Sequence, residues 1–91
     1  MANHADFEFE TNTLSALELE SDISNYCRVG DPIRSNLGNS LSPTFQGRVN
    51  IYADDGRVEC KVTITPIKSS KYLVNVTGVN VTGKRGKPYR P

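Results

Sequence analysis

Apolar and polar side chains alternate on both sides of an Asp-Gly pair in residues 45–65. Such alternation is typical of β-strands with one buried face, and Asp-Gly favours a two-residue hairpin turn. If Asp55 and Gly56 form a type I′ turn, every apolar residue of both strands lies on the same face, whereas a three-residue loop mixes the faces. The sequence therefore predicts a β-hairpin. Its expected apolar pairs are Ala53–Val58, Ile51–Cys60 and Val49–Val62.

A second hairpin is predicted from residues 71–77, where alternation resumes. Matching the apolar faces requires an odd-length loop, and Pro66 opposite Tyr72 satisfies this condition. Because proline has no N–H to donate, we expect the middle strand to end at Pro66. A bulge at Gly78 would restore the apolar face beyond Thr77. The expected apolar pairs are Ile64–Val74 and Val62–Val76, and the result is a three-stranded antiparallel meander.

Residues 6–11 alternate strictly and predict an N-terminal strand, with two phenylalanines on one side and three acids on the other. A helix is expected next. Ser15 and Glu18 have the spacing of a capping box, although Asn12 or Thr13 could cap the helix instead. Gly30 is expected to end it.

Asp31-Pro32 has the form of a second helix start, with an N-cap followed by proline. We therefore expect a short second helix ending near Gly38. The expected fold class is α+β: an N-terminal strand, one main helix, a short second helix and the meander. The helix is expected to pack Leu19, Ile23 and Tyr26 on one sheet face. One domain is expected over residues 1–82, followed by a flexible basic tail over residues 83–91.

Charge is unevenly distributed along the 91 residues. Residues 1–31 carry seven acidic side chains and one basic one, a net charge of −6, whereas residues 32–91 carry ten basic and three acidic side chains, a net charge of +7. The two parts could neutralise each other within the fold. Alternatively, they could form two interaction faces of opposite sign, or drive head-to-tail self-association.

Two cysteines, Cys27 and Cys60, are too few for a disulfide scaffold or a four-ligand zinc site. Both fall on core-facing positions, so we expect reduced, packed thiols, with a helix–sheet disulfide as the alternative if the protein is exported. No apolar run approaches the ~18 residues of a membrane-spanning helix, and the N-terminus lacks a basic segment followed by an apolar one. A cytoplasmic location is therefore expected.

Catalytic machinery is not evident in the sequence. The single histidine, His4, lies in a segment expected to be frayed, so no catalytic residue, cofactor site or metal site is predicted. By elimination, the predicted function is non-enzymatic. The chain is expected to be a small protein-binding module, an inhibitor, adaptor or accessory factor that occupies a partner's surface. Small size and lack of motifs would suit a viral or mobile-element origin.

The alternative prediction is nucleic-acid binding through the tail and the polar sheet face. Basic side chains can neutralise phosphates, and tyrosine can stack on a base. A tail that only aids solubility remains the simpler interpretation. The candidate binding residues for a protein or nucleic-acid partner are Arg48, Tyr52, Lys61, Asn75, Lys84, Arg85, Lys87, Tyr89 and Arg90.

Overall fold

The fold is one five-stranded antiparallel sheet with a single helix on one face. The computed structural model describes residues 6–38 and 41–83. Its elements are β1 (Phe7–Thr11), α1 (Ala16–Cys27), β2 (Pro32–Ser35), β3 (Gln46–Ala53), β4 (Gly56–Lys68) and β5 (Lys71–Gly83). The strand order is β1-β5-β4-β3-β2, so α1 connects the two opposite edges of the sheet. The expectation of a three-stranded meander with two helices is therefore wrong.

The short second helix is replaced by β2, which pairs with β3. Asp31-Pro32 suits the first residues of an edge strand as well as a helix start, because a proline there withholds no hydrogen bond from the sheet. A helix this short is also unstable on its own, since few hydrogen bonds repay its nucleation. As a strand, residues 32–35 instead form hydrogen bonds with the open edge of β3. A bulge between Pro32 and Arg34 leaves Ile33 largely exposed.

The first hairpin keeps the predicted faces but not the predicted register. Ala53 pairs with Gly56, so Asp54 and Asp55 form the turn and every pair is shifted by two residues. A type I′ turn is excluded because neither Asp has a positive φ. The reason lies outside the hairpin. The amides of Asp54 and Asp55 donate to Asp31 O and Val29 O at 2.9 and 2.7 Å, which holds the turn against the α1–β2 linker.

The second hairpin has the predicted register, with Pro66 opposite Tyr72 and Ile64 opposite Val74. The bulge at Gly78 is also confirmed, since the register shifts there and Gly78 has φ +59°. The expected strand end at Pro66 is wrong. β4 continues to Lys68, because a second irregularity beyond Pro66 restores pairing before the turn.

The N-terminal strand and the Ser15 cap are confirmed, since Ser15 Oγ accepts from the Glu18 amide at 3.4 Å. The helix ends earlier than predicted. Arg28 adopts the left-handed conformation (φ 58°), and the Val29 amide bonds to Ser24 O, as in a Schellman motif. Gly30, also at positive φ, belongs to the linker instead.

The core fills the space between α1 and the sheet. Its buried residues include all seven sheet positions predicted to face the helix, together with Leu19 and Ile23. Tyr26 departs from the prediction, because it is 49% exposed and stacks on Phe7 and Phe9 of β1. It therefore covers the β1 edge of the core rather than the meander. No helix in the described part of the chain is long and apolar enough to span a membrane.

Candidate functional site: the open face of the sheet

Within residues 6–38 and 41–83, no helix covers the second face of the sheet, and this face is polar. Side chains alternate across each strand, so burial of one set on α1 places the other set on this open face. In β3 the open-face set includes exposed Arg48 and Tyr52 and half-buried Asn50, and in β4 it includes exposed Arg57 and Lys61 and half-buried Glu59. The alternation of apolar and polar residues that forms the core thus also determines which polar side chains lie together on the open face.

A row of three residues crosses the open face at the end near Gly83. Arg34 pairs with Tyr52, and Tyr52 pairs with Arg57, on three neighbouring strands. The Arg34 guanidinium carbon lies over the Tyr52 ring, 4.6 Å from its centroid, and that of Arg57 lies 5.9 Å away. Both arginines therefore make cation–π contacts with one ring.

A second basic pair lies further along the same strands. Arg48 is directly opposite Lys61, and two like charges in this position destabilise a sheet. We call Arg34, Arg48, Tyr52, Arg57 and Lys61 together the Tyr52 cluster. It occupies the half of the open face formed by β2, β3 and β4.

One acid of the open face, Glu59 of β4, lies among the cations and pairs with Arg57, whereas the other acids lie at or next to β1 in the opposite half, each with a partner. Glu10 pairs with Lys71 at 3.4 Å, Glu8 accepts from the Asn75 side chain at 3.2 Å, and Asp6 accepts from the Gly78 amide at 3.0 Å. The acids are thus bound within the fold. The open face consequently has one half in which four cations outnumber the single acid Glu59 and one half in which the acids are paired internally.

Two open grooves border the Tyr52 ring. One has a volume of about 470 Å³ and is lined by residues that include Ile33, Arg57 and Gly83. The other has a volume of about 280 Å³ and is lined by Arg34, Ser35, Asn36, Asn50 and Tyr52. Ile33 is 69% exposed, so an apolar side chain lies beside the two arginines.

The side chain of Asn36 closes part of the β3 edge. Its Oδ1 accepts from the Asn50 amide at 2.8 Å, and its Nδ2 donates to Arg48 O at 3.1 Å. The amide thus takes the hydrogen bonds that another strand residue would make. This arrangement protects this part of the β3 edge, beyond the end of β2, from pairing with another chain.

The structure brings together three of the predicted candidates, Arg48, Tyr52 and Lys61. Asn75 lies on the same face but in the acidic half, where it donates to Glu8. The remaining candidates, Lys84, Arg85, Lys87, Tyr89 and Arg90, lie outside the described residues, as do His4 and most of the expected tail. Gly83 is part of β5, so the basic segment begins one peptide bond from a residue that lines the larger groove.

Arg34 and Arg57 were not among the predicted site residues. Arg34 was assigned to the second helix, so its position beside Tyr52 could not be seen. Arg57 could have been predicted from the sequence, because it is an even number of residues from Lys61 on the same strand and so points to the same face of the sheet. Its exposed ion pair with Glu59 (3.5 Å) leaves it accessible.

Both thiols are buried in the core and are not bonded to each other. Burial raises the pKa of Cys27 to about 11. Burial, together with the charge that Cys27 would carry, raises the pKa of Cys60 to about 12. Neither is poised as a nucleophile, since the reactive thiolate is disfavoured at neutral pH. Among the described residues, no three His, Cys, Asp or Glu side chains are grouped as metal ligands.

This chain was compared with protein-family models, curated proteins and solved structures, and none of them matches it. The candidate site therefore rests on the geometry of the open face alone.

Proposed function

We propose that this chain is a non-enzymatic binding module that acts by occupying a partner's surface with the basic half of its open face. The single observation that carries the proposal is the Tyr52 cluster, in which cations outnumber acids on an accessible surface. An anionic contact surface on the partner is the complement of such a group. We place this activity in the cytoplasm, where the buried thiols stay reduced.

The first candidate partner is a protein. Tyrosine and arginine are the residues most enriched at the energetic centres of protein interfaces, and Ile33 supplies an apolar contact beside them. An inhibitor, adaptor or accessory factor needs no more than such a surface.

A pull-down from a lysate of the source organism tests this candidate. The baits are the wild-type chain, Arg48→Glu and the control Lys68→Glu, which makes the same charge change at the far end of β4. A protein that binds directly to the purified chain, and is lost only with Arg48→Glu, supports the proposal. Binding that is equal for all three baits excludes the open face as the contact surface.

The second candidate partner is a nucleic acid. A specific observation favours it: β5 ends at the Tyr52 cluster, and the next eight residues contain four bases, one tyrosine and no acids. A mobility shift with DNA and RNA, repeated across salt concentrations, tests it. Deletion of residues 84–91 should weaken the binding, since phosphate contacts set both affinity and salt dependence.

A further inference from the structure

Three of the four cations of the Tyr52 cluster form no ion pair with an acidic side chain of the described residues. Arg57 is paired with Glu59, but within residues 6–38 and 41–83 no acidic side chain forms an ion pair with Arg34, Arg48 or Lys61. Arg48 and Lys61 also face each other directly. Folding alone gives no benefit from this arrangement, whereas a bound anion between the two would remove their repulsion.

The cluster repeats its positive charge at a defined interval. Tyr52 and Arg48 are four residues apart on β3, which corresponds to about 13 Å along an extended strand. Arg57 and Lys61 have the same spacing on β4. Basic groups therefore lie at both ends of a stretch of about 13 Å, with the Tyr52 ring at one end. Glu59 lies midway along it and is neutralised by its ion pair with Arg57.

Arg34 and Tyr52 offer a surface on which a base can stack. The guanidinium carbon of Arg34 lies 4.6 Å from the centroid of the Tyr52 ring, and Tyr52 remains 39% exposed. Guanidinium planes and tyrosine rings are both surfaces on which unpaired bases stack. The grooves on either side give a flat ring access to this surface.

Resting on the proposed function, we propose that the anionic partner is a single-stranded nucleic acid that runs along β3 and β4 across the open face. One base stacks on the Arg34–Tyr52 pair. Phosphates lie near Arg57 at one end and between Arg48 and Lys61 at the other.

A single strand fits this surface better than a duplex or an acidic protein. A duplex keeps its bases stacked inside the helix, so it has no free ring for the Arg34–Tyr52 pair. An acidic protein could neutralise the cations, but its carboxylate side chains carry no flat ring to stack on the Arg34–Tyr52 pair. A single strand carries both features, a charge on each nucleotide and an exposed base between charges.

The test measures binding of fluorescein-labelled 12-mers of oligo-dT and oligo-rU by fluorescence anisotropy. A DNA duplex of the same length and poly-glutamate serve as competitors. The variants of the full chain are Tyr52→Ala, Tyr52→Phe and the pair Arg48→Gln with Lys61→Gln. Lys68→Gln and Lys71→Gln together are the matched control, since they remove two charges at the far end of the sheet. Far-UV circular dichroism verifies that each variant is folded.

We expect the single strands to bind more tightly than the duplex. Tyr52→Ala should weaken the binding by about 5- to 150-fold, the range for loss of one base-stacking contact. Tyr52→Phe keeps the stacking surface and should bind like the wild type. Removing Arg48 and Lys61 should make the salt dependence less steep by about 1.4 in the logarithmic slope, for two lost phosphate contacts. The control pair should change neither result.

The remaining outcomes separate this inference from the proposed function. The single-strand inference is wrong if single strands and duplex bind with equal affinity, or if Tyr52→Ala has no effect on binding. In either case the proposed function, a face that binds anionic partners, would still stand. Binding of poly-glutamate without binding of either oligonucleotide overturns it in favour of an acidic protein. If none of these polyanions binds at low salt, both the inference and the proposed function are wrong.

Discussion

Arg28 and Gly78 have nearly the same positive φ, which permits a matched test of the fold. Arg28 ends α1 with φ 58°, and Gly78 forms the β5 bulge with φ +59°. Both positions are exposed, and a Cβ added at Gly78 would meet nothing within 4 Å. Only the backbone conformation should therefore distinguish alanine from glycine at either site.

The expected difference follows from two opposing effects. A side chain in the left-handed region costs roughly 1–2 kcal/mol. Glycine at the same position lowers the free energy of unfolding by about 0.4–1 kcal/mol, because an unfolded chain with glycine has more conformational entropy to lose on folding. Glycine should therefore be more stable than alanine by about 0.8 kcal/mol at each position, the difference between the midpoints of the two ranges. For a domain of this size, that is roughly 3–6 °C in the melting temperature.

The measurements are urea denaturation and thermal melts of Arg28→Gly, Arg28→Ala and Gly78→Ala. Far-UV circular dichroism is a suitable probe, since the chain has no tryptophan. Arg28→Ala removes the favourable charge at the helix C-terminus, so comparing alanine with glycine at this position isolates the backbone effect. Glycine less stable than alanine at position 28, or alanine equal to glycine at position 78, would refute the left-handed geometry there.

Three further predictions concern the core and its borders. Asp22→Asn should raise stability at neutral pH, because burial and then the Glu18 charge raise the pKa of Asp22. A raised acid pKa disfavours the charged form in the folded state, so the gain should shrink as the pH falls through the folded pKa, which denaturation at pH 7 and pH 3 can measure. Cys27 and Cys60 should resist iodoacetamide under native conditions and react fully in urea, as mass spectrometry would show; rapid native labelling of both would contradict their burial. Gly30→Ala should cost about 1–3 kcal/mol in urea denaturation, since φ is +84° and the new Cβ would lie 3.0 Å from a side-chain oxygen of the β3–β4 turn; an unchanged midpoint would contradict the tight packing of that turn.

Periodicity predicted the parts of the fold that are decided locally. The buried face of β4 and β5, the register of their hairpin and the bulge at Gly78 all follow from alternation that a one-residue slip would destroy. The Ser15 cap follows from hydrogen bonds within a single turn of helix.

Long-range partners decided the remainder. Asp31-Pro32 begins a strand because β3 has an open edge there, and the Asp54–Asp55 turn is set by carbonyls of the α1–β2 linker. Neither contact can be predicted from the local sequence pattern. The candidate site was affected in the same way. Tyr52 and Lys61 could be assigned to the open face by parity, but Arg34 joined them only once β2 was known.

The pairing of β1 with β5 has a consequence for the order in which the chain can fold. Phe7 lies opposite Val76, and Thr11 lies opposite Tyr72, so more than 60 residues separate the partners of this ladder. β3, β4 and β5 can pair through short turns, whereas pairing of β1 with β5 closes the largest loop between neighbouring strands of the sheet. This ladder therefore has the highest entropic cost of loop closure in the sheet. Until it forms, the nearby Tyr26 of α1 is the aromatic partner that the two phenylalanines of β1 can reach.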